Sequence, residues 1–273
     1  MGYNGNTRLH LLKQNSFRTL AGSAQALNSL AFLSNTRAAS ISDEGDVALL
    51  DLSAGNGEIL QGMQGKALNL AASADGKLLV AGSDTGAITR WDGATGKPLP
   101  ALSGGQLPLV YGLAVSSDGA LIAAAGPARD PRIEIWDAAG GKLLHTIGDS
   151  SVPIAALTFQ PRGNLLGIAT IDGKLQLWDA KAGTLAETIS APAEQGRFST
   201  LAFSPDGTLL ITGAPTGDIT FWDARNARRV AALPALDRNR SGVFTATFSA
   251  DGAQLALGLG DQSVRVLELP AGR

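Results

Sequence analysis

All four tryptophans of the chain stand directly before an aspartate, as Trp91-Asp92, Trp136-Asp137, Trp178-Asp179 and Trp222-Asp223, at spacings of 45, 42 and 44 residues. A period of that size marks one supersecondary unit copied in tandem. Each pair closes an apolar strand: Ile88-Thr89-Arg90, Arg132-Ile133-Glu134-Ile135, Lys174-Leu175-Gln176-Leu177 and Asp218-Ile219-Thr220-Phe221. The repeat therefore constrains the fold before any other property of the sequence is considered.

Weaker copies extend the array at both ends. Leu50-Asp51 follows Val47-Ala48-Leu49, and Leu267-Glu268 follows Val264-Arg265-Val266; both keep the strand and an acidic residue while losing the indole. A second marker runs in parallel through Ser73-Ala74-Asp75-Gly76, Ser116-Ser117-Asp118-Gly119, Gln160-Pro161-Arg162-Gly163, Ser204-Pro205-Asp206-Gly207 and Ser249-Ala250-Asp251-Gly252. Asp-Gly between apolar runs is a hairpin signal, because glycine takes the φ > 0 position without steric cost. Ser34-Asn35-Thr36-Arg37 holds this place in the first copy without the glycine. Before these turns, Phe32, Ala72, Val115, Phe159, Phe203 and Phe248 follow Leu30, Leu70, Leu113, Leu157, Leu201 and Ala246 by two residues. That period of two predicts a strand with one buried face in each of six copies.

The Trp-Asp pairs and the turns before them resemble the WD-repeat family of β-propellers, and the resemblance covers nearly the whole chain. It implies an all-β fold of four-stranded antiparallel blades. The fifth copy reads as strands Leu201-Phe203, Leu209-Thr212, Ile219-Trp222 and Val230-Leu233. One such sheet is too small to bury both faces, and radial packing gives it a neighbour on each side. Trp91, Asp92, Trp136, Asp137, Trp178, Asp179, Trp222 and Asp223 are then structural residues, with the indoles filling the spaces between sheets. Family members carry Gly-His before the innermost strand, and no histidine stands there in this chain. The turn aspartate of the family's polar network matches Asp130, Asp172 and Asp261, while Glu44, Thr85 and Thr216 replace it elsewhere. The resemblance thus predicts a partial network.

Six blades are preferred, with a seven-bladed, incomplete array as the alternative. The last copy ends after its third strand, and Phe17-Arg18-Thr19-Leu20-Ala21-Gly22 has the pattern of a fourth strand. The expectation is closure by this N-terminal strand, paired beside Ser263–Leu269. Residues 17–273 would form the propeller and residues 1–16 an extra strand or the remnant of an upstream repeat.

With 44% hydrophobic residues the chain can bury a large core. A net charge of −2 with scattered basic residues gives no field for nucleic acid, and no apolar run is long enough for a membrane span. The chain has no cysteine, which excludes disulfides and thiolate chemistry and fits a cytoplasmic protein. Its two histidines, His10 and His145, have no metal-ligand spacing, and no nucleophile elbow or phosphate loop is present. Asp43, Glu44, Asp84, Asp130, Asp172 and Asp261 fall in the turns between second and third strands. They would either cap their own turns or converge to hold a hard cation in a metal-assisted hydrolase. No cofactor is expected.

The loops joining each outer strand to the next blade carry Leu107, Leu109, Tyr111, Arg197, Phe198, Arg238, Arg240 and Phe244. Aromatic and arginine residues of this kind dominate protein interfaces. The expected function is a non-enzymatic scaffold, monomeric, binding a protein or peptide through this loop face. A second alternative is one domain of a larger protein whose activity lies elsewhere.

Overall fold

Short apolar runs between evenly spaced turns produce strands alone. The computed structural model describes residues 7–11, 16–20, 27–148, 152–190, 197–226, 228–235 and 241–269. Among them are twenty-four β-strands and no helix. The fold is a six-bladed β-propeller, as the repeat predicted. The chain divides into two compact units, residues 1–127 with 132–146 and residues 128–131 with 147–273.

The first unit begins with a hairpin of β1 (Thr7–Leu11) and β2 (Ser16–Leu20). Its first blade is the meander β3 (Leu27–Phe32), β4 (Arg37–Ser42), β5 (Val47–Asp51) and β6 (Asn56–Ile59). The second has three strands, β7 (Ala67–Ala72), β8 (Leu78–Ser83) and β9 (Ile88–Asp92). The third is β10 (Gly112–Val115), β11 (Leu121–Ala125), β12 (Ile133–Asp137) and β13 (Leu143–Ile147). In the second unit the blades are β14 (Ile154–Phe159) to β17 (Thr184–Ser190) through β15 (Leu165–Thr170) and β16 (Lys174–Asp179), then β18 (Thr200–Phe203), β19 (Leu209–Gly213), β20 (Ile219–Asp223) and β21 (Arg228–Leu233). Its last blade has three strands, β22 (Val243–Phe248), β23 (Gln254–Leu259) and β24 (Val264–Glu268).

The N-terminal strand corrects one expectation. Phe17–Leu20 pairs with β1, in the register Thr7↔Leu20 to Leu11↔Ser16, and β24 pairs only with β23 among the described residues. The expected ladder beside Ser263–Leu269 is therefore replaced by a local hairpin. Closing a few residues between adjacent strands costs far less chain entropy than joining opposite ends of the polypeptide.

Each half of the Trp-Asp pair has a separate task. Trp91 packs among Ile41, Leu49 and Val47 of the preceding blade, Trp136 against Val80 and Ile88, and Trp222 against Leu175 and Leu177. These three indoles are at most 2% exposed; Trp178 is half-buried and donates to Gln176 Oε1 at 3.0 Å. The aspartate caps the turn into the fourth strand. Asp51, Asp92 and Asp179 each accept backbone amides two and three residues ahead through one oxygen, at 2.7–3.1 Å. Asp137 does the same with both of its oxygens.

The earlier hairpins share a second device. Ser73, Ser116, Ser204 and Ser249 each donate to an aspartate two residues on, and that aspartate accepts the amide two residues further, at 3.0 Å in every copy. The Gln160 copy lacks both groups and instead donates to Gly207 O of the next turn at 2.8 Å. The glycine of this motif is needed twice over. Gly76 has φ +68°, and a Cβ there would lie 2.0 Å from Leu33 O of the preceding blade.

The expected alternation of the first strands is only partly met, and in β10 the intervening Ala114 is the buried residue. Leu201, Phe203 and Phe159 are buried, and Leu70, Leu113, Val115 and Leu157 are half-buried, whereas Leu30 and Phe32 are 38% and 58% exposed. Their counterparts Leu70 and Ala72 pack on the preceding blade, and the first unit contains none ahead of β3.

Two outcomes follow. Trp222→Ala should lower stability by roughly 3–5 kcal/mol, and Asp179→Ala by about 1 kcal/mol per lost backbone hydrogen bond, measured by urea unfolding. The Ser73 hydroxyl, ahead of the Lys77 amide and ammonium, holds the Asp75 carboxyl down at about 2. A depressed carboxylate stabilises the fold above its unfolded pKa of about 3.9, and that contribution disappears as pH falls towards 2. Asp75→Asn should therefore flatten the stability profile between about pH 4 and 2, modestly and in a salt-sensitive way because the group is exposed.

Candidate functional site

The second blade departs from the repeat at two points, and the departures together create a cavity. Its fourth strand starts normally, with Asp92 N–H donating to Lys97 O and Leu99 N–H to Arg90 O, at 2.9 and 2.8 Å. It then leaves the sheet. Pro98 and Pro100 have no N–H to continue a ladder. The segment crosses to the third blade, where Ser103 N–H donates to Gly141 O at 2.8 Å and Ser103 O accepts from Leu143 N–H at 3.2 Å. Residues 97–103 thus form a strap between two blades of one unit. Beneath it lies a cavity of about 550 Å³, walled by the edge of β9, the strap, the following loop to Leu107, and Trp136.

The other departure is Arg90. The residue before the tryptophan is Ile135, Leu177 or Phe221 in the other Trp-Asp copies, all buried. Arg90 occupies that place and is only 3% exposed. Its Nη1 donates to Ala138 O and its Nη2 to Pro100 O, so the guanidinium ties the strap to the third blade. Burial pushes its pKa down, opposed by the field of Asp137. Close by, the buried Glu134 accepts the Gln106 amide with both oxygens, at 3.0 and 3.2 Å. Gly105 is squeezed between these groups: a Cβ there would lie 2.6 Å from Trp136 Cζ2 and 2.8 Å from Glu134 Oε2.

Polar and apolar side chains both line the cavity. Its polar side chains are Gln64, Thr85, Thr89, Arg90 and the Trp136 indole, with no carboxylate, histidine or paired nucleophile and base. Three of the acidic turn residues have partners close to their own turns. Asp84 accepts the Lys66 amide at 2.8 Å, and Asp261 accepts the Ser263 amide and hydroxyl at 2.9 and 2.6 Å. Asp172 accepts the Thr170 hydroxyl and pairs with Lys174 at 3.1 Å, while Asp43 and Glu44 are exposed. No group of three acidic or histidine side chains that could hold a metal ion is found among the described residues.

The interface residues expected from the sequence separate into distinct environments. Leu107 is 6% exposed and lines the cavity, and Phe198 is 4% exposed with its ring edge-on to Trp222 at 6.5 Å and 88°. Both serve the core, because each is the apolar anchor of its own loop. Leu109 is half-buried, Arg197 is exposed, and Tyr111 and Phe244 are 57% and 62% exposed. Arg238 and Arg240 lie outside the described residues. Arg90 and Glu134 were missed, although for Arg90 a charged residue at a position that is apolar in the other Trp-Asp copies was the signal available.

A family model for the WD domain, G-beta repeat, matches residues 96–137, 141–179 and 184–223. The first matched repeat runs from the strap to Trp136-Asp137, so half of the residues lining the cavity belong to it. No match is found among curated proteins. Among solved structures, the chain is similar to the computationally designed Ika8 protein, with a TM-score of 0.78 and 22% identity over 98% of this chain and 79% of that one. It is also similar to a chain of the Mitotic Checkpoint Complex, with a TM-score of 0.82 and 22% identity over 97% and 81%. At that identity the likeness concerns the fold.

Gly86, in the turn before β9, tests the strap. It has φ +79°, and a Cβ would lie 1.7 Å from Leu107 O. Gly86→Ala should displace the loop that follows the strap and destabilise the protein by roughly 1–3 kcal/mol, read as a lower melting temperature.

Proposed function

This chain is a WD-repeat β-propeller, and from that premise we propose that it is a non-enzymatic scaffold that binds a protein or peptide partner. One observation carries the reading. Tyr111 and Phe244 occupy the same register position in two different blades, one residue before Gly112↔Ala125 and Thr245↔Gly258, and both rings are exposed. Leu68, 39% exposed, stands at that position in a third blade.

Those rings are mounted on fixed backbone. The preceding residues, Val110 and Val243, are fully buried and donate their amides to Ser83 O and Ala214 O of the preceding blade, at 2.9 and 3.0 Å. A large ring held on an ordered strand loses little entropy when a partner covers it, which is why such residues concentrate binding energy. One of the similar structures is a chain of the Mitotic Checkpoint Complex, which supports a role in an assembly here. The lack of a nucleophile, base or metal cluster in the described cavity supports the non-enzymatic part of the reading.

The test compares partner recovery by the wild type and by a Tyr111→Ser/Phe244→Ser double variant, with equal melting temperatures confirmed first. Each ring should contribute about 2 kcal/mol, so at least one partner bound by the wild type should be largely lost by the variant. Equal recovery of every partner by both forms refutes a partner-binding role for these two rings.

A further inference from the structure

The outer strand of the last blade has an open edge. β24 pairs with β23 alone among the described residues, whereas the first, third, fourth and fifth blades each carry a fourth strand. Main-chain bonding along β24 alternates between its two sides. Leu259 N–H donates to Ser263 O and Leu269 N–H to Ala253 O, at 2.9 and 2.8 Å, so Arg265 and Leu267 between them also face β23. The N–H and C=O groups of Val264, Val266 and Glu268 therefore point outward. In the second blade the equivalent groups of Arg90 and Asp92 are met by Leu99 N–H and Lys97 O.

The side chains are exposed as well. Val47 and Leu49, Leu175 and Leu177, and Ile219 and Phe221 hold the places of Val264 and Val266 in other blades, and all of them are buried. Val264 is 73% exposed and Val266 46%. Open strand edges are commonly guarded against pairing by lysine, proline or a bulge. The outer strands β17 and β21 join their neighbours through a register shift, and the second blade leaves its sheet at Pro98 and Pro100. β24 has an unbroken register with β23 and contains neither lysine nor proline.

We propose that β24 is a homodimerisation edge, which pairs antiparallel with β24 of a second copy about a two-fold axis at Val266. The strand's own sequence selects both the occupant and the register. An axis at Arg265 would set two guanidinium groups directly opposite, and like charges so placed are destabilising. An axis at Leu267 would bring Val264 opposite Pro270, which has no N–H to give. At Val266 neither fault arises. Val266 faces its own copy, Val264 faces Glu268 and Arg265 faces Leu267, so no like charges stand opposite and the exposed valines of both chains form one apolar cluster. The pairing joins two three-stranded sheets into one, in the closed, isologous way usual for dimers. Phe244 lies on β22, at the opposite edge of this sheet, so the dimer goes beyond the partner-binding reading and leaves that strand free.

Sedimentation equilibrium of the full chain tests the proposal. The wild type should move from the mass of one chain to that of two as concentration rises from micromolar towards millimolar, as expected of a small interface. Val266→Lys sets two ammonium groups across the axis and should stay at one chain, with the melting temperature of the wild-type monomer. Introduced thiols report the register, because the chain has no cysteine. A bonded antiparallel pair holds its Cα atoms about 5.5 Å apart, within reach of a disulfide. Under mild oxidation Val266→Cys should give a covalent dimer by itself, whereas Val264→Cys and Glu268→Cys should do so only when mixed. Three results overturn the proposal. One is a single-chain mass for the wild type at every concentration, which leaves a strand of another kind as the occupant. The others are a dimer that Val266→Lys leaves intact, and Val264→Cys cross-linking by itself as readily as Val266→Cys.

Discussion

A sheet of four strands, each about five residues long, presents two apolar faces, and only a neighbouring sheet on each side can bury them. Everything else in this protein follows from meeting that requirement repeatedly. The second strand of each blade becomes an all-apolar or small-residue run, as in β8 and β11, whose residues are all buried. Small residues at its end allow the next blade to approach: a Cβ on Gly82 would lie 2.3 Å from Val110 Cγ1, and one on Gly213 2.9 Å from Val243 Cβ. Tryptophan fills the space that remains between adjacent blades, and the aspartate after it turns the chain outward before the fourth strand begins.

This division of labour explains what could be read from the sequence. The tryptophan spacing, the Asp-Gly turns and the period of two are all local, so blade number and strand order were visible in the residues alone. The N-terminal hairpin was not. Residues 7–11 and 16–20 were each compatible with more than one partner strand, and alternation does not distinguish a nearby partner from a distant one. Exposure of the loop residues was also hidden. Tyr111 and Phe198 stand one register position apart in their respective copies, so one faces solvent and the other meets Trp222. A one-residue shift along an extended chain reverses the side on which a side chain lies.

The cavity was legible only as a deviation from the repeat. A tandem array gives each position several internal references, and Arg90 departs from its references by placing a cation among isoleucine, leucine and phenylalanine. The proline pair in the strap is a departure of the same sort. Any one of them alone would be unremarkable as sequence drift. They become informative because the fold brings the altered strand edge, the unpaired indole and the buried guanidinium to one cavity wall.

Such a cluster has an energetic consequence. A blade that loses its outer strand gives up ladder hydrogen bonds, and a core position that takes arginine gives up apolar burial for a desolvated charge. The two Arg90 bonds to Pro100 O and Ala138 O recover part of this by holding the strap between blades. They do not neutralise the charge, and they leave the Nε–H and the neighbouring indole unmet. The neighbouring blades are large enough to bear that local deficit, since each contributes its own buried cluster to the unit. Stability is thus supplied by the regular blades, while the irregular one carries the strap and the buried guanidinium that holds it.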